Sequence, residues 1–228
     1  MKAQKTRIKI CGITTPEEAI FCQKAGADAI GLVFFPKSPR HLPFAQARAI
    51  SEALPEAFPK IGVFVNEDEE TILKTVEAAK LTAIQLHGQE SPELAARLLQ
   101  KHLTLLKVFY MTAQPPVSDH ANYPQCTALV EWGKGVLPGG NAMGWGESDT
   151  LLPRNNPLVI AGGLGPDNVA QMIQTHAPDG VDVSSGVEKA PGEKDKNKIL
   201  TFIKAVAHAD SHLADRSPIK EPFSCPIH

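Results

Sequence analysis

Short apolar runs rich in β-branched residues alternate along this chain with segments whose apolar residues recur at helical spacing. The runs lack a regular alternation of polar and apolar residues, which is typical of parallel strands covered on both faces. Alternating strands and helices indicate a parallel sheet with helices packed around it. Eight strands are predicted in this way, at residues 7–13, 29–34, 60–65, 83–88, 104–110, 128–132, 157–162 and 180–185.

The helices between these strands have their own start and stop signals. Thr15 and Ser91 are predicted N-caps, each followed by a proline, and Gly26 is the predicted end of the first helix. Residues 112–127 are rich in proline and the stretch after the sixth strand is rich in glycine, so the fifth and sixth helices are expected to be weak or absent. Six helices are predicted, at residues 16–25, 43–54, 68–80, 91–102, 166–176 and 195–209.

The eightfold strand count favours a single (β/α)8 TIM barrel of the α/β class, whereas fewer units would suggest an open doubly wound sheet. The apolar pattern alone does not decide whether the sheet closes. We expect the barrel domain to span residues 1–209. Residues 210–228 contain three prolines and little periodicity, so they are predicted to form a short, flexible C-terminal tail.

Composition narrows the classes of function. The chain has 228 residues, 43% of them hydrophobic, and a formal net charge of −2, which does not indicate a surface for nucleic acid or anionic lipid. Its 4 cysteines lack the short spacing of a zinc site. It has neither a signal-peptide pattern nor an apolar run of about 18 residues. We therefore expect a cytoplasmic protein with no metal, nucleic-acid or membrane partner.

Candidate site residues lie where strands end, because the active sites of such barrels are at the carboxyl ends of the strands. AGGL at 161–164 and VSSGV at 183–187 follow the last two strands, and their glycines let backbone N–H groups approach an anion. Either segment alone would more often be a simple turn, but together they predict a phosphate site. The other candidates are Cys11, residues 34–41, Asn66, Gln85, His87, Glu131 and residues 182–186.

Several of these residues also have a structural interpretation. Cys11 is either an inert core thiol or a reactive group in surroundings that favour the thiolate. Glu131 interrupts the apolar run ALVEW, so it either pairs with a barrel lysine such as Lys9 or Lys107 or takes part in chemistry.

The same choice applies to two basic side chains. His87 is either a hydrogen-bonded structural residue or part of the site. Arg40, in the loop PKSPRHL, is either a solvated charge or a guanidinium that binds a carboxylate through two parallel bonds. The other cysteines are two predicted core residues, Cys22 and Cys126, and one tail residue, Cys225.

Six motifs along the chain are jointly very specific. They are KICGIT at 9–14, GADAIGLVFFPKSPR at 26–40, IGVFVN at 61–66, QLHGQE at 85–90, AGGLGPDNV at 161–169 and VDVSSGVEKAPGEKD at 181–195. Together they resemble the phosphoribosylanthranilate isomerase family, and the resemblance covers the chain up to about residue 207. It implies a (β/α)8 barrel that uses no metal and no cofactor.

The resemblance also implies a reaction, the Amadori rearrangement of the small molecule N-(5-phosphoribosyl)anthranilate in tryptophan biosynthesis. A general acid protonates the furanose ring oxygen, and the ring opens to a Schiff base. A general base then removes the proton from the adjacent carbon. The resulting enolamine tautomerises to 1-(2-carboxyphenylamino)-1-deoxyribulose 5-phosphate. A monomer or a homodimer is expected.

Residue by residue, Cys11 matches the family's general base and Arg40 matches the arginine that fits the anthranilate carboxylate. Asp182 matches an aspartate near the sugar, and the glycines and serines of the last two strand ends match the phosphate site. The substrate-binding residues expected on these grounds are Arg40, Gln85, His87, Gly162, Gly163, Asp182, Ser184, Ser185 and Gly186.

Strand six departs from the family, whose general acid there is an aspartate; this chain has Glu131, which we predict to be the acid. The loop that follows reads GGNAMGWGE instead of the usual GGTGKxFDW and retains only Gly139 and Gly140. One alternative is therefore a weakened or inactive phosphate-binding barrel. Another is a related barrel, such as indole-glycerol-phosphate synthase or the histidine-pathway Amadori isomerase, although the latter has an aspartate where this chain has Cys11.

Overall fold

Eight parallel strands close into a barrel in the computed structural model, which describes residues 5–133, 152–213 and 218–223. Each strand pairs with the next along the chain, and the last pairs with the first. The predicted TIM barrel is therefore confirmed. The strands are β1 Arg7–Cys11, β2 Ala29–Val33, β3 Lys60–Phe64, β4 Ala83–Leu86, β5 Thr104–Tyr110, β6 Thr127–Glu131, β7 Leu158–Ala161 and β8 Gly180–Val183.

The helices form where the capping signals predict them. The side chains of Thr15 and Ser91 accept hydrogen bonds from the first turn of their helices, and Gly26 ends the first helix in the left-handed conformation. Six α-helices lie within the described residues: α1 Pro16–Ala25, α2 Phe44–Glu52, α3 Glu69–Ala78, α4 Pro92–Leu99, α5 Val169–His176 and α6 Lys196–Ser211.

The irregular segments lie where no clear helix is predicted. A short 3-10 helix, Val117–Asn122, follows β5 in place of an α-helix. Another, Ser185–Val187, follows β8 and leads into a small antiparallel pair, β9 Glu188–Ala190 and β10 Glu193–Lys194. Gly139, Gly140 and residues 141–145, which distinguish the strand-six loop, lie outside the described residues.

Alternate strand residues fill the inside of the barrel. Leu106, Val108 and Tyr110 of β5 belong to one buried cluster with residues of the other strands, whereas Leu105 and Phe109 pack in a second cluster that contains the helices. This period of two is what a strand covered on both faces requires. It directs the side chains at the strand ends either into the barrel mouth or under the helices.

The C-terminal segment 218–223 packs against the amino-terminal end of the barrel. Phe223 is only 3% exposed and joins the cluster inside the barrel. The Thr127 hydroxyl donates to the Pro222 carbonyl at 3.0 Å, and the Lys220 N–H donates to Asp179 Oδ1 at 2.8 Å. The expected flexible tail is therefore corrected for these six residues, because a segment without periodicity can still dock through one aromatic side chain and a few backbone bonds.

Replacing Phe223 with alanine is expected to lower the free energy of unfolding by about 2–3 kcal/mol. This is at or just below the usual cost of truncating a buried phenylalanine, because an end segment can detach from the barrel instead of leaving a cavity in it. The melting temperature should then fall by roughly 5–10 °C. The matched control is Phe44→Ala, since Phe44 is 52% exposed. Thermal unfolding of both variants tests this, and equal melting temperatures would refute the docking of the tail.

Candidate active site

A cavity opens at the carboxyl end of the barrel. Its lining includes ten of the eleven residues predicted to be catalytic or substrate-binding: Cys11, Arg40, Gln85, His87, Glu131, Gly162, Gly163, Asp182, Ser184 and Ser185. Gly186 lines the adjoining groove. Asn66, a further candidate, lies in the loop after β3, and its Oδ1 accepts a hydrogen bond at 2.6 Å from the Gln89 N–H in the loop after β4.

Cys11 lies at the end of β1, beside a buried ion pair. Lys9, two residues earlier on the same face, donates from Nζ to Asp182 Oδ2 at 2.8 Å. Burial raises the pKa of the Cys11 thiol, and the positive charge of Lys9 opposes that rise. The site therefore holds a thiol whose thiolate form has a cation next to it.

Glu131 ends β6 and faces the same cavity, with only 5% of its surface exposed. Burial raises the pKa of its carboxyl group to about 8; the negative charge of Asp182 adds to this rise and Lys9 opposes it. A carboxyl group with this pKa is mostly protonated at neutral pH and can donate a proton. Its Oε1 lies 3.7 Å from Nε2 of His87.

The predicted lysine partners of Glu131 are engaged elsewhere. Lys9 pairs with Asp182, and Lys107 pairs with Glu90 at 3.0 Å beneath the loop after β4. Lys107 also donates to the carbonyl of Gly88 at 2.8 Å. The structure therefore does not support the interpretation of Glu131 as half of a structural ion pair with either lysine.

Arg40 is buried and oriented, not solvated. Its Nε and Nη2 donate to the two carboxylate oxygens of Glu188, each at 2.7 Å, and Lys194 Nζ donates to the same carboxylate at 2.8 Å. The group of three carries one net positive charge at the cavity wall. Gly12 permits this arrangement, because a Cβ at that position would overlap the Arg40 side chain.

The loops after β7 and β8 approach each other closely. Gly162 and Gly163 both have φ of 75°, a left-handed conformation that favours glycine. A Cβ on Gly186 would overlap the carbonyl of Leu164, so that glycine lets the two loops touch. The hydroxyl of Ser184 is buried and has no hydrogen-bond partner within the described residues. This geometry suits an anion bound by backbone N–H groups and a serine.

Three residues that contact or approach the candidate side chains were not among the sequence-based candidates. Glu188 and Lys194 orient Arg40, although they lie 148 and 154 residues further along the chain. Tyr110 ends β5 with its hydroxyl buried near Glu131 and without a hydrogen-bond partner in the described part of the chain. A polar group at the end of a barrel strand was the signal that could have identified Tyr110.

Residues 5–133, 152–213 and 218–223 contain no group of three His, Cys, Asp or Glu side chains arranged to hold a metal. Over the same ranges, no helix is both long and apolar enough to cross a membrane. Cys22 and Cys126 are buried free thiols away from the cavity, as predicted, and Cys225 lies outside the described residues.

The sequence and the structure of this chain were each compared with known proteins, and the two comparisons agree. The sequence model of the family N-(5'-phosphoribosyl)anthranilate (PRA) isomerase matches residues 8–205. The N-(5'-phosphoribosyl)anthranilate isomerase of Desulfatibacillum aliphaticivorans is 45% identical over 198 residues, which are 86% of this chain and 91% of that protein.

Two solved structures extend the match to the fold. Monomers of the dimeric isomerase from Thermotoga maritima are 38% identical, with a TM-score of 0.77 over 89% of this chain and 98% of theirs. A phosphoribosyl anthranilate isomerase in complex with reduced 1-(o-carboxyphenylamino)-1-deoxyribulose 5-phosphate is 35% identical, with a TM-score of 0.74 over 89% of this chain and 99% of its own. This chain therefore belongs to the N-(5'-phosphoribosyl)anthranilate isomerase family.

Proposed function

We propose that this chain is an aldose–ketose isomerase that converts N-(5-phosphoribosyl)anthranilate to 1-(2-carboxyphenylamino)-1-deoxyribulose 5-phosphate in tryptophan biosynthesis. The observation that carries the proposal is the placement of Cys11 and Glu131 on one cavity, a thiol beside a cation and a carboxyl group that stays protonated at neutral pH. The rearrangement requires a protonated acid and a base that can ionise, and the cation beside Cys11 favours its thiolate form.

Glu131 is the general acid. Its proton passes to the furanose ring oxygen as the bond between that oxygen and the anomeric carbon breaks, which leaves a Schiff base to the anthranilate nitrogen. Burial keeps the carboxyl group protonated before this step, and the Lys9 ammonium helps to accommodate the carboxylate afterwards.

Cys11 is the general base. Its thiolate accepts the proton from the carbon next to the Schiff base, and the electron pair forms the carbon–carbon double bond of the enolamine. Lys9 stabilises the thiolate before the transfer. The Cys11 thiol returns its proton to the nitrogen-bearing carbon of the enolamine, and the enol hydroxyl loses its proton as the ketone forms. That last proton replaces the one that Glu131 gave up, so the reaction consumes no net proton.

The rest of the cavity binds the substrate. The backbone N–H groups of Gly162, Gly163, Ser184 and Ser185, with support from Gly186, hold the phosphate. Arg40 binds the anthranilate carboxylate through Nη1, the nitrogen that the Glu188 pair does not use. Asp182 accepts a hydrogen bond from a sugar hydroxyl through Oδ1, which has no partner among the described residues. Gln85 and His87 complete the wall.

Arg40→Ala is expected to raise KM for the substrate about 10- to 100-fold, the worth of a charge-assisted hydrogen bond. Inhibition by inorganic phosphate should change less than twofold, because the phosphate site lies on other loops. The control is Arg48→Ala, which removes an exposed arginine of α2. Steady-state kinetics with phosphate as a competitor measures both constants, and equal losses would remove the assigned role of Arg40.

The pH dependence follows from the two raised pKa values. Burial raises the pKa of Glu131 to about 8 and lifts that of Cys11 above its ordinary value of about 8.5, so Glu131 loses its proton first as pH rises. The productive state has a protonated Glu131 and a deprotonated Cys11. Among molecules in which the two groups carry one proton in total, this state is a fixed fraction. The kcat/KM value should therefore increase up to pH of about 8 and decrease above the pKa of Cys11, and an optimum below pH 6 would contradict this.

We also propose that the chain works in the cytoplasm, since its phosphorylated substrate does not cross membranes, and as a monomer or a homodimer, with no nucleic-acid or membrane partner. The relative from Thermotoga maritima is dimeric. Sedimentation velocity of the full chain distinguishes the two states.

The function is tested by complementation of a tryptophan auxotroph that lacks this isomerase, with a histidine auxotroph lacking its own Amadori isomerase in parallel. Growth of the first strain without tryptophan supports the proposal. Growth of only the second would assign the chain to the histidine-pathway reaction. Soluble expression with no growth of either would indicate an inactive barrel.

A further inference from the structure

Gln85 and His87 form a buried pair beside Glu131. They stand two positions apart at the end of β4 and are only 1% and 4% exposed. Nε2 of Gln85 lies 2.9 Å from Nδ1 of His87. The His87 backbone is fixed as well, since its N–H donates to the carbonyl of Phe64 at 2.8 Å. The imidazole is therefore held from both its backbone and its Nδ1 side.

This contact determines where the imidazole carries its proton. In this orientation the Gln85 amide turns its N–H group towards the ring. Because an amide N–H can only donate, Nδ1 of His87 accepts, and the ring is neutral with its proton on Nε2. Nε2 lies 3.7 Å from Glu131 Oε1, and such contacts often shorten when substrate binds. The imidazole thus turns a donor towards the carboxyl group of Glu131.

A donor at this position orders the carboxyl group. Once this contact shortens to hydrogen-bond distance, the oxygen that faces Nε2–H accepts, and the acidic proton then resides on the other oxygen, Oε2. The Cβ and Cγ atoms of Glu131 pack against Gly162. A Cβ at position 162 would lie only 3.0 and 3.3 Å from these two atoms, so glycine leaves the room that the glutamate side chain needs. His87 therefore acts on the polar end of the side chain, which this contact with Gly162 does not hold.

We propose that Gln85 is a positioning residue that acts through His87: it fixes the neutral imidazole with its proton on Nε2, and the imidazole holds Glu131 so that Oε2–H is presented to the cavity. This role rests on the proposed function of Glu131 as general acid. It differs from substrate binding by Gln85, because it predicts an effect on kcat and on the ionisation of Glu131 with little change in KM.

The polar and charged groups around Glu131 determine how a substitution at position 85 should shift the pKa of Glu131. It is faced by His87 from the end of β4, Tyr110 from β5, Asp182 from β8 and Lys9 from β1. A carboxylate at position 85 would accept a proton from Nδ1 and stabilise the imidazolium. That new cation beside Glu131 would favour the ionised acid and lower its pKa.

The experiment compares Gln85→Glu with Gln85→Met and with Gln89→Glu, which adds the same charge at an exposed position two residues beyond His87. In Gln85→Glu, the lower apparent pKa of the kcat/KM profile should fall by at least one unit. The kcat of this variant at pH 7.5 should fall by about 10-fold or more, and its KM should stay within threefold of the parental KM. Gln85→Met should lower kcat without that pKa shift, and Gln89→Glu should behave as the parent.

Nitrogen-15 NMR of the labelled full chain gives a readout that does not depend on activity. The parent should show His87 with Nδ1 unprotonated and Nε2 protonated, and Gln85→Glu should show both nitrogens protonated at pH 7. A parent with the proton on Nδ1 would overturn the inference even if the chain is an active isomerase. An unmoved pH profile in Gln85→Glu, or a raised KM with an unchanged kcat, would overturn it too.

Discussion

Cys11→Ala is expected to lower kcat by about 100-fold or more, the usual contribution of a positioned general base. The methyl group of alanine cannot accept the proton from the sugar carbon, and no other thiol lines the cavity within the described residues. The fold should persist, because the change removes one sulfur atom at the cavity wall. Steady-state kinetics and circular dichroism measure the two effects.

Cys22→Ala is the matched control, since Cys22 is a buried free thiol on α1 away from the cavity. It should keep the parental kcat even if it melts at a lower temperature. A Cys11→Ala protein that turns over at the parental rate would show that the base is another group.

Glu131→Gln is expected to lower kcat by about 100- to 10,000-fold while the substrate still binds, because the amide keeps the size of the side chain but has no acidic proton. Glu131→Asp should keep measurable activity, since the acid is retained. Its carboxyl group is withdrawn by about 1 Å, a displacement that can cost roughly 100-fold. Kinetics with titration of a non-reacting product analogue separates kcat from binding.

The control for Glu131→Gln is Glu193→Gln, which removes an exposed carboxylate of β10. It should leave kcat unchanged. If Glu131→Gln turns over at the parental rate, another group is the general acid. The raised pKa of Glu131 would then have no role in catalysis.

The barrel could be predicted from the sequence because each strand carries a local signal that does not depend on distant residues. All eight predicted strands overlap the observed ones, although several end earlier. The first was predicted to extend to residue 13 but ends at Cys11, because Gly12 adopts φ of 77° and turns the chain. A glycine in a sequence does not reveal which of its many conformations it adopts.

The positions of Cys11 and Glu131 followed from a rule about strand ends, and both line the cavity. The contacts that set their chemistry were not predictable in this way. The pairs Lys9–Asp182 and Arg40–Glu188 join residues 173 and 148 positions apart, and only the closed barrel brings them together. The docking of Phe223 inside the barrel was missed for the same reason, since one aromatic residue in an aperiodic tail carries no local signal.

The most direct measurement is the conversion of N-(5-phosphoribosyl)anthranilate by the purified full chain, with the product identified by chromatography and mass. We expect 1-(2-carboxyphenylamino)-1-deoxyribulose 5-phosphate to form with kcat in the ordinary enzyme range, on the order of 1–1,000 per second. The Cys11→Ala/Glu131→Gln double variant supplies the background rate. A folded parent protein that forms no more of this product than the double variant would contradict the assignment of an isomerase with Cys11 as base and Glu131 as acid.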